Sequence, residues 1–463
     1  MARPALNTPE GAAVHAGERP MWIVFLLFLA PMLLTNLLQA LAGTINAIYI
    51  GQLLGVRALG AVAAFLPLLA FFIAFVIGLG SGASIVIGQA WGARNLDRVR
   101  AVAGTVICAG ALLAGVLGVA GFVLAAPILR LLGTPADVLP DAISYARVMM
   151  LFLPLLFLSI LAAAVLRGVS DTVTPLLSLL ISTCGVLLLT PALIAGWAGL
   201  PALGVPGGAW ATMLAMAMSL AWMVWHLRQR THPLAPDSAF RTHWRIQPRL
   251  LRPVLRLGLP TSLFFVLSSL ADLGLVGLVN RHGSAATAAW GAVNQALTYV
   301  QFPAMSISIT AAILAAQAIG AGKLDRVRSV MRAALQMNLA IVGGMSVAAA
   351  LFAPQIAALF ITDPQVAGAA ATLLRIGVWA ALLLGTGSIF SGIMRAGGTV
   401  LVPTAISLSL LAFVLFPLGW AFDPRFGLAG IRLAYPLTFG IGCLLQMAYF
   451  HGVWKKKPVR RLA

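Results

Sequence analysis

The sequence predicts an all-α integral membrane protein with twelve transmembrane helices in two pseudo-symmetric six-helix bundles. Of its 463 residues, 61% are hydrophobic and only 9% are charged, whereas about 25% are charged in a typical soluble domain. The apolar residues form runs of about 20 or more, the length that an α-helix needs to cross the hydrocarbon core of a bilayer. Runs this long and this apolar favour helices over a closed barrel.

The chain carries the same pattern twice, about half its length apart. Residues 88–104 (GQAWGARNLDRVRAVAG) and 316–332 (AQAIGAGKLDRVRSVMR) are identical at ten of 17 positions, with an offset of 228. Pro31 and Pro260 match within one residue of that offset. A half-length duplication in so apolar a chain is typical of transporters built from repeats. Six spans per repeat is an even number, so we expect parallel repeats related by an axis along the membrane normal.

Polar segments divide the predicted spans into two lobes. We expect a cytosolic tail at 1–20, an N-lobe at 21–228, a cytosolic linker at 229–256, a C-lobe at 257–454 and a basic cytosolic tail at 455–463. The linker segment 241–256 (RTHWRIQPRLLRPVLR) is basic with apolar residues interleaved, and it is either a solvated loop or a segment lying on the inner membrane surface. The spans are predicted at about 22–48, 60–87, 98–124, 140–166, 174–196, 206–228, 257–281, 286–315, 328–353, 365–391, 400–421 and 428–454.

The distribution of positive charge predicts the orientation. With the N-terminus inside, the inner segments carry 23 of the 30 Lys and Arg residues and the outer half carries seven, among them Arg375 and Arg432. This bias follows the positive-inside rule and explains most of the net charge of +19 without nucleic acid. We therefore expect a multi-pass protein of the cytoplasmic (inner) membrane with both termini in the cytosol, a monomer whose partners are the lipid bilayer and small organic substrates.

One acidic residue stands apart from the rest. Most of the eleven acidic residues fall in predicted tails or loops, but Asp272 lies inside the apolar run of span 7, twelve residues after Pro260. An acid inside a membrane span is costly and is by default a functional candidate. We predict that Asp272 binds the coupling ion, H⁺ or Na⁺; the alternative is a protonated acid with a purely structural hydrogen bond.

Polar side chains of two spans are candidates for a substrate pathway. In span 1, Asn36, Gln39 and Asn46 form a helical stripe that is expected to face away from lipid, either lining the pathway or joining helices. Span 8 offers Asn294, Gln295 and Tyr299, followed by Pro303 and Met305. A polar and aromatic patch that ends in a proline is able to bend the helix and shape a cavity. The alternative is a wet entrance at the helix end.

The sequence offers little for catalysis or for a cofactor. The six histidines lie in tails, loops or span ends, and no HExxH, Walker, GxSxG or paired CxxC motif occurs. The three cysteines all fall within apolar runs, which argues against a thiolate metal site. We therefore expect no enzyme, no metal site and no cofactor other than the coupling ion.

Several paired motifs resemble the multidrug and toxic compound extrusion (MATE) family. They are the early proline of each lobe, the turn GQLLGVRALGAVA (51–63) with NRHGSAATAAWGAV (280–293), QAWGARN (89–95) with QAIGAGK (317–323), and LRGVSDTVTP (166–175) with MRAGGTVLVP (394–403). The resemblance implies two six-helix bundles that alternate between inward and outward openings. It also implies antiport, in which H⁺ or Na⁺ enters while organic, often cationic, compounds leave.

The resemblance also assigns roles to positions, and this chain departs from them. Many family members carry an acid in span 1 where this chain has Asn46. Sodium-coupled members carry an acid in span 7 at the position of Ser268, one helical turn before Asp272. The alternatives are a flippase for lipid-linked or amphipathic substrates of the same superfamily, and a major facilitator transporter, whose loop signature does not fit the spacing from Gly92 to Asp97.

Overall fold

The structure, a computed structural model, describes residues 20–196, 202–237 and 243–456. Within these ranges the chain forms α-helices joined by short turns, and no β-strand. Two runs pass through a π-helical turn, at Asn338–Gly343 and at Leu411–Leu415. The helices are α1 (Met21–Gly92), α2 (Leu96–Leu131), α3 (Leu139–Leu151), α4 (Leu153–Gly168), α5 (Val173–Ala195), α6 (Val205–Gln229), α7 (Pro248–Asn280), α8 (Ser284–Gly320), α9 (Leu324–Met337), α10 (Gly344–Leu351), α11 (Ala353–Phe360), α12 (Pro364–Gly377), α13 (Trp379–Ala396), α14 (Leu401–Leu410) and α15 (Phe416–Gly452).

The described helices account for the twelve predicted spans. Ten helices or helix runs are long and apolar enough to cross a membrane, and α3 with α4, bent by 49° at their junction, add an eleventh. The last run, Leu401–Lys456, has 56 residues, which as one helix is about 84 Å long. Because it breaks at Gly427, it supplies two spans. The predicted fold class is confirmed.

The chain forms two compact units. The first includes Leu34–Ile87 and Asn95–Gly258. The second includes Ala16–Leu33, Gly88–Arg94 and Leu259–Ala463. Each has its own apolar interior: Phe65 and Phe157 are fully buried in the first unit and Ile313 and Ile389 in the second. The predicted lobe boundaries stay predictions.

Paired glycines mark equivalent turns of the two repeats. Gly55 and Gly283, 228 residues apart, both have a left-handed φ, of 81° and 91°. Gly204 and Gly427 likewise have φ of 59° and 56°, but they are 223 residues apart. Glycine adopts this conformation at no steric cost. The repeats therefore align with an offset of 228 up to the last turn and of 223 beyond it.

The duplicated QAxG motif has a packing role within the second unit. A Cβ atom on Gly92 would overlap the backbone carbonyl oxygen of Gln317, and one on Gly320 would overlap that of Gln89. Gln89 is fully buried, and its Nε2 donates a hydrogen bond of 2.6 Å to the carbonyl oxygen of Ala396. The two copies of the motif thus cross backbone to backbone, which requires both glycines.

Candidate functional site

Asp272 lies on α7 and is exposed at the surface of the second unit. Its Oδ1 accepts a hydrogen bond of 2.9 Å from the hydroxyl of Tyr435 on α15. Two residues further along α7, a Cβ atom on Gly274 would overlap the ring of Phe416, which lies on the part of α15 before its break at Gly427. Among the described residues Tyr435 is the hydrogen-bond donor to this carboxylate, and Oδ2 carries no hydrogen bond.

A buried arginine lies beside this pair. Arg432 on α15 is only 2% exposed. Its Nη1 donates a hydrogen bond of 3.0 Å to Oδ1 of Asn294 on α8. Its guanidinium carbon lies 4.6 Å from the ring centroid of Trp290 and 5.4 Å from that of Tyr435, which is the geometry of a cation–π contact. We call Asp272, Trp290, Asn294, Arg432 and Tyr435 the Arg432 cluster.

The space for Arg432 depends on a glycine of α12. A Cβ atom on Gly377 would overlap Nε of Arg432. This Nε and Nη2 are buried and have no hydrogen-bond partner in the described part of the chain. Buried donors without acceptors cost about 1–3 kcal/mol each. The protein therefore keeps a cation in this place against an appreciable cost, which points to a use for its charge.

The predicted pathway residues of span 8 separate along α8. Asn294 joins the Arg432 cluster, and its neighbour Gln295 is exposed. Tyr299 and Met305 are half-buried further along the helix, on either side of the buried Pro303. α8 continues as a helix through this proline. The structure thus brings one of the four predicted residues, Asn294, together with Asp272.

The predicted stripe of span 1 lies on α1. Asn36 is half-buried and Gln39 is exposed, both in the segment that belongs to the first unit. The side chain of Asn46 lies outside the described part of the structure. Their role as a pathway lining stays a prediction.

Sequence reasoning missed Arg432 as a site residue. Its charge supports the predicted orientation as one of the seven positive charges of the outer half, although the residue falls inside predicted span 12. An arginine five residues into an apolar span is as costly as an acid in one, and that signal was available. Tyr435 and Trp290 gave no such signal, because aromatic residues are common in membrane spans.

A second polar site lies where the linker meets the first unit. Asp171 is buried, and its carboxylate accepts hydrogen bonds from the backbone N–H groups of Val173 and Thr174 and, at 2.6 Å, from the hydroxyl of Thr174. Nε2 of the buried His232 lies 3.8 Å from Asp171 Oδ2. Burial lowers the pKa of His232, and the Asp171 carboxylate partly opposes this shift.

The described start of the linker packs against other residues of the first unit. Nε of Arg100 donates a hydrogen bond of 2.9 Å to the carbonyl oxygen of Pro233. Leu234 and Ala235 are each only 5% exposed. The described start of the linker is therefore anchored to the first unit, and the two alternatives for segment 241–256 stay predictions.

Among the described residues no group of three or more His, Cys, Asp or Glu side chains is arranged to hold a metal ion. The Arg432 cluster pairs one exposed carboxylate with a cation and aromatic faces. Such an arrangement is suited to reversible binding of a small cation.

Comparison with known proteins places the chain among transporters. The sequence model of the MatE family matches residues 31–191 and 260–421. The "Probable multidrug resistance protein YoeA" of Bacillus subtilis is 40% identical over 444 residues, 96% of each chain. The FAD transporter of Shewanella oneidensis is 26% identical over 406 residues, 86% of this chain and 88% of the relative.

Solved structures show the same fold. The MATE transporter VcmN of Vibrio cholerae, solved as a mutant, superposes with a TM-score of 0.85 at 21% identity and covers 94% of this chain and 97% of its own. The matched residues cover part of each predicted lobe and begin at the two early prolines, Pro31 and Pro260. The chain therefore belongs to the MatE family of multidrug efflux transporters, a family of multi-pass membrane proteins that act on small molecules.

Proposed function

We propose that the protein is a secondary antiporter that exchanges H⁺ or Na⁺ for organic, mainly cationic, compounds by alternating access between its two lobes. Asp272 is the coupling residue in this proposal. The coupling ion and the substrate compete for its carboxylate, so that each leaves when the other binds. In this reading the ion is transported cargo and no resident cofactor is needed.

One observation carries the proposal: Asp272 presents an exposed carboxylate with a single hydrogen-bond donor, Tyr435, inside a membrane-spanning helix. Oδ2 has no hydrogen bond to a described residue, so a proton or a sodium ion can reach it without breaking an existing contact. Carboxylates that are retained at such cost in membrane spans mark ion pathways. Asn46, at the position where many family members carry an acid, cannot titrate, so the proposal places the coupling role on Asp272 alone.

The experiment is gradient-driven exchange of ethidium in proteoliposomes. An imposed pH gradient and an imposed sodium gradient are applied separately, since the proposal admits either ion. A panel of organic cations follows, together with FAD, because one relative is named for its transport. Wild-type protein is expected to exchange ethidium under at least one gradient, and Asp272→Asn is expected to lose the gradient-driven component tenfold or more.

The matched control is Asp137→Asn. Asp137 is an exposed acid in the turn between α2 and α3, so its amide removes one carboxylate from the chain and leaves the Arg432 cluster intact. It is expected to exchange ethidium like wild type. Gradient-driven exchange by Asp272→Asn at the wild-type rate would remove Asp272 from the mechanism.

The proposal includes an orientation. Both termini are placed in the cytosol by the charge bias of the sequence, and the protein is placed in the cytoplasmic membrane as a monomer. Cysteine labelling from one side of sealed membranes is the check, with single cysteines introduced at exposed Asp137 and exposed Lys323. Labelling of Lys323→Cys from the outside would contradict this orientation.

A further inference from the structure

On the basis of the proposed coupling role of Asp272, we infer that Arg432 is the built-in countercharge of this carboxylate and lets it release and regain its coupling ion in each transport cycle. Arg432 is a positioning residue in this scheme, since it acts on the ion through Asp272. Three features of the Arg432 cluster support the role: the shortage of other cations, the spacer between the two charges, and the way in which the guanidinium is held.

Asp272 needs a cation when its coupling ion has left. An ionised carboxylate in a membrane span is costly without one nearby. Among the described residues, Tyr435 and Arg432 are the ionisable groups that act on Asp272. Other charges lie on the turn after α7 and near the break in α15: Arg281, His282, Asp423 and Arg425. His282 and Asp423 pair with each other at 2.6 Å, and neither Arg281 nor Arg425 is among the groups that act on Asp272, so Arg432 is the cation that serves Asp272.

Tyr435 separates the two charges. Its hydroxyl donates to Asp272 and its ring lies against the Arg432 guanidinium. Within the described residues, Asp272 and Arg432 form no direct ion pair within 4.0 Å. A direct bidentate pair would occupy both carboxylate oxygens and hold the acid ionised. With the spacer, one oxygen stays open to an ion while the countercharge remains close enough to favour ionisation.

The guanidinium is held in place without being neutralised. Asn294 accepts from one nitrogen, Trp290 covers one face, and Gly377 leaves the room in which Nε lies. Nε and Nη2 meet no acceptor among the described residues. Neutral partners fix the position of Arg432 but do not cancel its charge. That charge is therefore available to Asp272.

The test is infrared difference spectroscopy of the full chain in liposomes, titrated over pH. The readout is the carboxylic-acid C=O band that disappears in Asp272→Asn. In Arg432→Gln the midpoint of this band is expected to rise by at least one pH unit, a tenfold or greater gain in proton affinity, because a positive charge near the acid has been removed. Arg432→Lys keeps the charge and is expected to stay near the wild-type midpoint.

Arg375→Gln is the matched control. Arg375 is an exposed cation of the same unit, bonded to the carbonyl oxygen of Ala350, and its loss is expected to leave the midpoint unchanged. Equal midpoints in wild type and Arg432→Gln overturn the inference. If Arg432→Gln does not fold, Arg432→Met, which keeps an apolar side chain, takes its place. Its band midpoint is expected to rise in the same way, and a midpoint equal to that of wild type overturns the inference.

Different measurements test the countercharge role of Arg432 and the coupling role of Asp272. If Asp272→Asn loses exchange but the band does not move in Arg432→Gln, the coupling role stands and Arg432 is not its countercharge. If Asp272→Asn exchanges ethidium normally, the coupling role falls whatever the band does. Arg432→Gln is also expected to exchange ethidium poorly at neutral pH and to recover at alkaline pH, which a misfolded protein cannot do.

Discussion

The two repeats share a backbone plan at their left-handed glycines but fill it with different side chains. The offsets of 228 and 223 set Trp290 and Asn294 opposite Val62 and Leu66, and Arg432 and Tyr435 opposite Ala209 and Thr212. In the first unit Ala209 is fully buried, and the hydroxyl of Thr212 bonds the carbonyl oxygen of Gly208 in its own helix.

The two repeats therefore share their backbone turns, whereas the charged Arg432 cluster lies in the second repeat. Both repeats kept the turns and the motif glycines, because backbone geometry depends on them. Around those turns the first repeat has Val62, Leu66, Ala209 and Thr212 where the second repeat has Trp290, Asn294, Arg432 and Tyr435.

The largest effect is expected when the buried arginine is copied into the first unit. Ala209→Arg places a cation among apolar neighbours without Asn294, Trp290 or a carboxylate to receive it. A buried charge without a partner costs about 3–5 kcal/mol, so we expect little folded protein. The measurement is thermal unfolding in detergent followed by size-exclusion chromatography. Ala209→Ser is the control of similar size, and an equally stable Ala209→Arg would mean that the first unit has a hidden counterpart of the cluster.

The shared feature of the repeats is tested at the crossing of the QAxG motifs. Gly92→Ala introduces a Cβ atom that overlaps the carbonyl oxygen of Gln317, which forces the two backbones apart and costs about 3 kcal/mol. Gly320→Ala is expected to behave in the same way, because the contact is reciprocal. Gly115→Ala in α2, where a Cβ atom meets nothing within 4 Å, is the control in the same unfolding assay. Equal melting temperatures for Gly92→Ala and Gly115→Ala would contradict the crossing.

A smaller effect is expected within the Arg432 cluster. Asn294→Leu removes the acceptor of Arg432 Nη1 and leaves one more buried donor unpaired, at a cost of about 1–3 kcal/mol. Gln295→Leu, at the exposed neighbouring position, is expected to change stability by no more than about 0.5 kcal/mol. Chemical or thermal unfolding of the two variants side by side is the check. If both lose stability equally, Asn294 does not anchor Arg432.

The smallest effect concerns pH and the linker. Burial lowers the pKa of His232, so the unfolded chain takes up a proton at this residue more readily than the folded one. Stability is therefore expected to fall as the pH drops below about 6.5, the ordinary pKa of histidine. His232→Gln is expected to flatten this dependence, and the measurement is the difference between the stabilities at pH 7.5 and at pH 5, obtained from unfolding. His451→Gln, at an exposed position, is expected to keep the full dependence.

The sequence predicts those features that follow from apolar runs or from a charged residue inside an apolar run. The twelve spans follow from apolar runs, and Asp272 stands out because it lies deep inside one of them, whereas Asp141 lies at the very start of predicted span 4. Arg432 also falls inside a predicted span, but its charge is used only to predict the orientation. Because the offset between the repeats changes from 228 to 223 at Gly427, an alignment with a constant offset of 228 does not place Arg432 opposite Ala209.

Other features depend on contacts between residues distant in the chain. Tyr435 and Trp290 look like ordinary aromatic residues of a membrane span until α7, α8 and α15 are packed together. The anchoring of the linker likewise depends on Arg100 and His232, which are 132 residues apart. No local sequence pattern predicts this contact. The sequence thus predicts the elements, and tertiary packing decides which polar residues meet.

The most direct test of the central claim is a competition measurement. Ethidium binding to purified protein is followed by fluorescence while the pH is lowered or Na⁺ is added. In the wild type, at least one of the two ions is expected to weaken ethidium binding tenfold or more, because ion and substrate share Asp272. In Asp272→Asn neither ion is expected to have this effect. A variant that binds ethidium with the wild-type ion dependence would contradict the account.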